Sequence, residues 1–149
     1  MDKYPIAASS LEKYYHINGD QFERQYKEHL SGFTEWEDAP HASEWLVYPE
    51  NFGPKMSIDE TSLSDGELYT IVSNKDAHGQ KGAMAAIIHG TKAEVVNTAL
   101  NQVPLDKRQL VTEITLDLSP SMRNICIMRF PNAKRVIDRF HIQKLACDA

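Results

Sequence analysis

From Met56 onward the chain alternates between runs of strand character and runs with helical period, and that order constrains the fold more than any other feature. Met56–Leu63 and Glu67–Ser73 are strand-like, the second rich in β-branched and aromatic residues, and Ser64-Asp65-Gly66 between them is a turn signal, so the two are expected to form a hairpin. Asn74–Gly82 has the composition of a longer turn. Ala83–His89 is apolar and short, with glycine on both sides, which favours a third strand. Thr91 and Glu94 then form a capping-box pattern ahead of Val95, Val96, Ala99, Leu100 and Val103, a helical stripe stopped by Pro104. Val111–Leu118 is a fourth strand. Ser119-Pro120 supplies a cap and a first-turn proline to a helix carrying Met122, Ile125, Cys126 and Met128, which Pro131 ends. Arg135–Ile137 is a short strand, and Phe140–Ala149 opens a last helix.

The order β-β-β-α-β-α-β-α describes a mixed sheet with helices on its faces. Right-handed crossover brings the strand after the first helix beside the first strand, so Val111–Leu118 is expected next to Met56–Glu60. That α/β arrangement is RNase H-like. Ahead of it, residues 1–54 form an N-terminal helical and linker segment, and residues 55–149 the N-terminal part of the α/β domain. In the front segment Asp20 and Glu23 suggest a capping box, Phe22, Tyr26 and Leu30 share one helical face, and Gly32 is a stop. Trp36, Pro40, Trp45, Leu46, Tyr48 and Pro49 follow without clear period, and the aromatics among them are read as packing residues.

Composition narrows the function classes. With 42% hydrophobic and 25% charged residues the chain is too apolar for disorder, and no apolar run approaches the ~18 residues of a membrane span. The first ten residues lack the pattern of a secretory signal, so a soluble, cytoplasmic protein is expected. Cys126 and Cys147 have no C-x-x-C spacing and are expected to be reduced, partly buried thiols. The formal net charge is −5, unevenly spread: residues 1–55 hold five bases against ten acids. Residues 121–145 hold Arg123, Arg129, Lys134, Arg135, Arg139 and Lys144 against Asp138 alone. Such a run is either a surface for phosphates or an ordinary solvated face.

Asp59 lies in the first strand and Asp117 at the end of the fourth. If the two strands are neighbours, ~4.8 Å apart, both carboxylates can face one pocket. Paired hard oxygen ligands suit Mg2+ or Mn2+, and two such ions ~3.5–4 Å apart activate an attacking oxygen and stabilise a leaving one. Spacing alone leaves a second reading open, in which each aspartate caps a strand end or the next helix. Glu60 is expected to point to the opposite strand face and not to act as a ligand.

The wording around these acids resembles a known family. Ser57-Ile-Asp-Glu-Thr-Ser-Leu-Ser-Asp-Gly-Glu-Leu-Tyr-Thr70 is similar to the first-aspartate block of DDE transposases of bacterial insertion sequences, of the ISL type. Glu113-Ile-Thr-Leu-Asp117, Phe130-Pro-Asn-Ala133 and Val136-Ile-Asp-Arg-Phe-His-Ile-Gln-Lys144 follow in the family's order, and the likeness runs from about Tyr14 to the end. The resemblance implies a catalytic domain that cuts and joins DNA with two aspartates and a later glutamate on Mg2+ or Mn2+. Matched motif to motif, the aspartates are Asp59 and Asp117. Asp138 and His141 stand where mutator-like relatives have a Cys-x-x-His pair. Their other reading is a histidine whose ring satisfies a helix-start carboxylate. Arg135, Arg139 and Lys144 are candidate DNA contacts.

The family's third acid belongs on a helix beyond this basic block, and Asp148 is too close to match it. A DNA-binding helix-turn-helix has no counterpart in the acidic front. The expectation is therefore a truncated transposase whose partners are transposon-end DNA and another transposase chain, and which is catalytically incomplete. Two other classes stand beside it: a non-catalytic DNA- or transposase-binding regulator, and an RNase H-type nuclease acting on RNA–DNA hybrids. Nucleotide binding is disfavoured because no G-x-G-x-x-G or G-x-x-x-x-G-K-[ST] pattern occurs.

Overall fold

In a computed structural model, residues 6–63 and 66–147 are described. Two compact units divide the chain, residues 1–40 and 41–149. The first carries α1 (Ala8–Tyr15) and α2 (Gly19–Gln25), the latter running on into a π-helical turn, Tyr26–Leu30. His16, in the left-handed region, ends α1, and its N–H bonds the Glu12 carbonyl at 3.0 Å. The expected Asp20–Glu23 box is not the cap of α2: Asn18 is, its Oδ1 accepting from the Gln21 N–H at 2.8 Å. Asn at this position satisfies one of the donors that a helix start leaves unpaired. Phe22 and Tyr26 stack one turn apart, and Gly32, with φ of 66°, stands where the stop was expected.

The second unit is a six-stranded mixed sheet in the order β1-β4-β3-β2-β5-β6. Its strands are β1 (Trp45–Val47), β2 (Lys55–Ser62), β3 (Leu68–Asn74), β4 (Met84–His89), β5 (Glu113–Leu116) and β6 (Lys134–Ile137). β2, β3 and β4 form an antiparallel meander, β1 adds antiparallel to β4, and β2, β5 and β6 run parallel. This is the RNase H-like architecture, with β5 beside β2 as right-handed crossover requires. The first two residues of the expected hairpin turn, Ser64 and Asp65, lie outside the described residues.

Its helices are α3 (Ala93–Leu100), α4 (Leu105–Leu110), α5 (Pro120–Arg129) and α6 (Arg139–Cys147). Three details depart from the sequence expectation. Lys92, without a side-chain cap, precedes α3 in place of a Thr91–Glu94 box. The short helix α4 fills the segment after Pro104. It has no buried residue, so it lacks the apolar period that marks a helix in sequence. Trp45–Val47 is a strand in the stretch that showed no period. His41 stacks on the Trp45 ring with centroids 3.6 Å apart, and the ladder to β4 continues through Glu44 and Tyr48.

Period-two burial sets the faces of the sheet. Met56 and Ile58, Val72, Ala86 and Ile88, and Ile114 and Leu116 are buried on one face. They form one core with Val96, Ala99 and Leu100 of α3 and Met122, Ile125 and Cys126 of α5. Trp45 and Val47 pack against this core, in keeping with the reading of Trp45 as a packing residue. The one buried polar side chain among the described residues, Thr70, donates to the Gly90 carbonyl at 2.9 Å.

Cys126 is fully buried and Cys147 exposed, and neither is in a disulfide. Burial pushes the Cys126 thiol up to about 12, with Arg135 opposing and Asp117 adding to the shift. Its thiolate is therefore absent at pH 8. Iodoacetamide at that pH is expected to label Cys147 alone until denaturant is added, with labelling counted by intact mass. Double labelling of the native chain would contradict this core. Among the described residues no helix is long and apolar enough to cross a membrane.

Candidate functional site

β2 is an eight-residue strand because Met56 and Ile58 alternate with polar Ser57 and Asp59, so one face enters the core and the other carries the acid. β5 repeats the pattern: Ile114 and Leu116 go in, while Thr115 stays half-buried on the other face. The parallel register pairs Met56 with Ile114 and Ser57 with Thr115. Counting on two residues from that register, Asp59 in β2 comes abreast of Asp117, the residue just after the end of β5. β5 and β6 pair Thr115 with Val136, so the same count brings Asp138 abreast of Asp117.

Ser57, Asp59, Thr115, Asp117 and Asp138 line a single small cavity of about 90 Å3, with the backbone-flanking Ile58 and Leu116. Each of the two central carboxylates is oriented by a neighbouring backbone donor. Asp59 Oδ1 accepts from the Glu60 N–H and Asp117 Oδ1 from the Ser119 N–H, both at 2.9 Å. The second oxygen of each takes no hydrogen bond among the described residues. On the same sheet face Lys75 Nζ donates to Thr115 Oγ1 at 2.9 Å and pairs with Glu113 at 3.3 Å, fastening the turn after β3 to the middle of β5.

Glu60 belongs to this site electrostatically. Partial burial raises its carboxyl above the ordinary value of 4.5, and the negative charges of Asp117 and then Asp59 push it further. A carboxyl raised on folding costs nothing below its unfolded pKa, where both states are protonated, and destabilises the fold as pH climbs past its folded value. Glu60→Gln is therefore expected to raise the melting temperature at pH 7 and leave it unchanged near pH 3.5. An equal effect at both pH values would assign the change to packing instead.

A wider cleft of about 470 Å3 opens beside the cavity and shares Leu116 and Asp117 with it. Arg123 from the first turn of α5 and Arg135 from β6 line it. Of the residues singled out from sequence, Asp59, Asp117 and Asp138 are thus brought together, with Arg135 in the adjoining cleft. Arg139 is exposed at the start of α6 and lines neither space. His141 and Lys144 lie on α6, and their side chains are outside those described. Sequence reasoning counted Arg123 in the basic run but did not mark it as a site residue. The signal was its place four residues after the Ser119 cap, in the turn that follows Asp117. A hollow of about 540 Å3 in the first unit, lined by Asp20, Glu23, Arg24, Lys27 and Glu28 among others, mixes both signs of charge and holds no comparable chemistry.

The family model of the ISL-type DDE transposase domain (Transposase) matches residues 56–149. The chain belongs to the DDE transposase family. No curated protein matches it. Members of this polynucleotidyl transferase family act on DNA with divalent ions, and the match begins at Met56, within the strand that bears Asp59. The transposase domain's own residues fit such ions in part: two hard carboxylates face one cavity, each with one oxygen that takes no hydrogen bond among the described residues. Among the described residues, no group of three or more His, Cys, Asp or Glu side chains is arranged to hold a metal.

Proposed function

We propose that Asp59 and Asp117 are two of the carboxylates with which this domain holds Mg2+ or Mn2+ for cutting and joining transposon-end DNA. The parallel register of β2 and β5 carries this reading, because it places the two acids side by side at one cavity. Bound divalent ions supply charge neutralisation at the reacting phosphate and activation of the attacking oxygen. The chain's part is to hold the two acids. The Glu60 and Ser119 N–H groups fix one oxygen of each acid, and the apolar core beneath β2 and β5 keeps the strands from shifting. Asp138 lines the same cavity as a neighbour of the pair, and His141 follows it by one helical turn.

Two carboxylates hold a divalent ion weakly, and the family resemblance implies a third acid on a later helix. Efficient strand transfer by Asp59 and Asp117 alone is therefore not expected. The test is Mn2+ binding by calorimetry, run with cleavage of labelled transposon-end DNA, for the chain and for Asp59→Ala and Asp117→Ala. Weak Mn2+ binding that both substitutions abolish, with little cleavage, supports the reading. Robust cleavage lost in Asp59→Ala would uphold the pair and overturn the need for a third acid. Mn2+ binding that ignores both substitutions would overturn the pair. The arginine-lined cleft favours one other reading, a non-catalytic protein that binds transposon DNA or another transposase chain. Salt-sensitive DNA binding without any metal site would be its signature.

A further inference from the structure

We infer that Arg123 and Arg135 form a subsite for a backbone phosphate of the DNA strand, next to the phosphate that reaches Asp59 and Asp117. The inference rests on the functional reading above and extends it to residues outside the carboxylate pair.

The molecule treats its arginines in two ways. Arg129 donates through Nε to Asn97 Oδ1 at 2.6 Å and through its terminal nitrogen to Asn101 Oδ1. Arg108 donates to the Val103 carbonyl at 3.0 Å and reaches the Arg129 carbonyl at 3.5 Å. Both serve to tie α3, α4 and α5 together. Arg123 and Arg135, by contrast, have no side-chain hydrogen bond or ion pair among the described residues, although both line a cleft. Two guanidiniums on adjacent elements, one from α5 and one from β6, present planar forks of donors that match phosphate oxygens.

The cleft's position favours a nucleic-acid phosphate over a free anion. It meets the acid cavity at Asp117, so a strand lying along the sheet's end with one phosphate at the acids carries its neighbour toward the arginines. Leu118 and Ile137 wall it and are themselves 48% and 36% exposed, an apolar surface suited to deoxyribose. Asp117 at its edge repels an isolated anion, and the guanidiniums offset that charge.

The test uses the full chain and a short fluorescein-labelled DNA duplex, followed by anisotropy across a salt series with EDTA present. Chelation removes any contribution of metal at Asp59 and Asp117, so the outcome is separable from that of the carboxylate reading. The double variant Arg123→Gln/Arg135→Gln is expected to bind roughly tenfold more weakly at low salt. Its plot of log affinity against log salt should be shallower by about 0.9, the loss of one phosphate contact. Arg123→Lys/Arg135→Lys should keep the slope while losing affinity, and Asp117→Asn should tighten metal-free binding. Lys81→Gln, on the turn before β4, should change neither quantity. Circular dichroism melts establish that each variant is folded. Where the glutamine double variant does not fold, the single Arg123→Gln, at an exposed position of α5, carries the test. An unchanged slope in a folded glutamine variant would overturn the inference, as would absence of duplex binding by the parent chain. Inorganic phosphate displacing the duplex at concentrations far below those of chloride would replace it with a free-anion site.

Discussion

Phe130→Ala is expected to cost about 3–5 kcal/mol, a large part of the roughly 5–15 kcal/mol that stabilises a domain of this size. Phe130 is the largest fully buried side chain among the described residues and sits where α5 ends. Its ring stacks against Phe52, with centroids 6.2 Å apart, and so joins the helix end to the segment leading into β2. Its backbone closes two further contacts: its N–H bonds Cys126 O at 3.0 Å, and its carbonyl accepts from Ala133 N–H at 3.1 Å just ahead of β6. Truncation removes the apolar contact and leaves a cavity that neighbours on both sides cannot fill without moving α5 or β6. Urea unfolding followed by circular dichroism measures the loss. The midpoint should fall with the slope unchanged, and Phe130→Leu should recover more than half of the difference. A loss below about 1 kcal/mol for the alanine variant would mean that the ring is not a keystone of this core. Because Arg123 and Arg135 are carried by the same helix and strand, the two substitutions also separate stability from DNA binding, which Phe130→Leu should leave intact.

What could be read from the sequence depended on how strongly each segment declares a period. β2, β3 and β4 alternate or are wholly apolar, and α5 opens on Ser119-Pro120 with the Ser119 hydroxyl accepting from Met122 N–H, so their order and pairing were legible. β1 was not, because an edge strand of three half-buried residues has too few positions to show alternation, and His41 and the ladder to β4 define it instead. α4 was hidden for a related reason: six residues with none buried leave no apolar stripe. At α3, Thr91 and Glu94 had the right residue types at the right spacing, yet the chain enters the helix one residue later, at Lys92. The carboxylate pair was legible because each acid interrupts a strand that otherwise reads as core. Glu60 was placed by alternation alone, and alternation says nothing about charge acting across a strand end, where Asp117 and Asp59 both reach it. Arg123 went unmarked because a surface arginine on a helix looks the same in sequence whether its guanidinium ties helices together, as that of Arg129 does, or lines a cleft.

Replacing either central aspartate should change stability in opposite directions with and without metal. In EDTA at pH 7, Asp117→Asn is expected to raise the melting temperature, because Asp59, Glu60 and Asp117 concentrate negative charge at one sheet end, and the Glu60 carboxyl, raised first by burial, is raised further by Asp117 and Asp59. With Mn2+ the parent chain should be stabilised by an amount set by linkage, about 1.4 kcal/mol when the ion stands at ten times its Kd. Asp59→Asn and Asp117→Asn should each lose that increment, so the ranking of melting temperatures inverts between the two conditions. A purely structural role, with each aspartate capping its turn through the Glu60 or Ser119 N–H, predicts otherwise. The substituted amide keeps an oxygen for that bond, so such a role would show little change in EDTA and none in the response to Mn2+. Glu113→Gln provides the comparison on the same sheet face. Glu113 lies further back along β5 and is paired with Lys75, so its substitution should leave the Mn2+ increment in place. An increment lost equally in Glu113→Gln would show that Mn2+ responds to the overall charge of the face rather than to the paired acids.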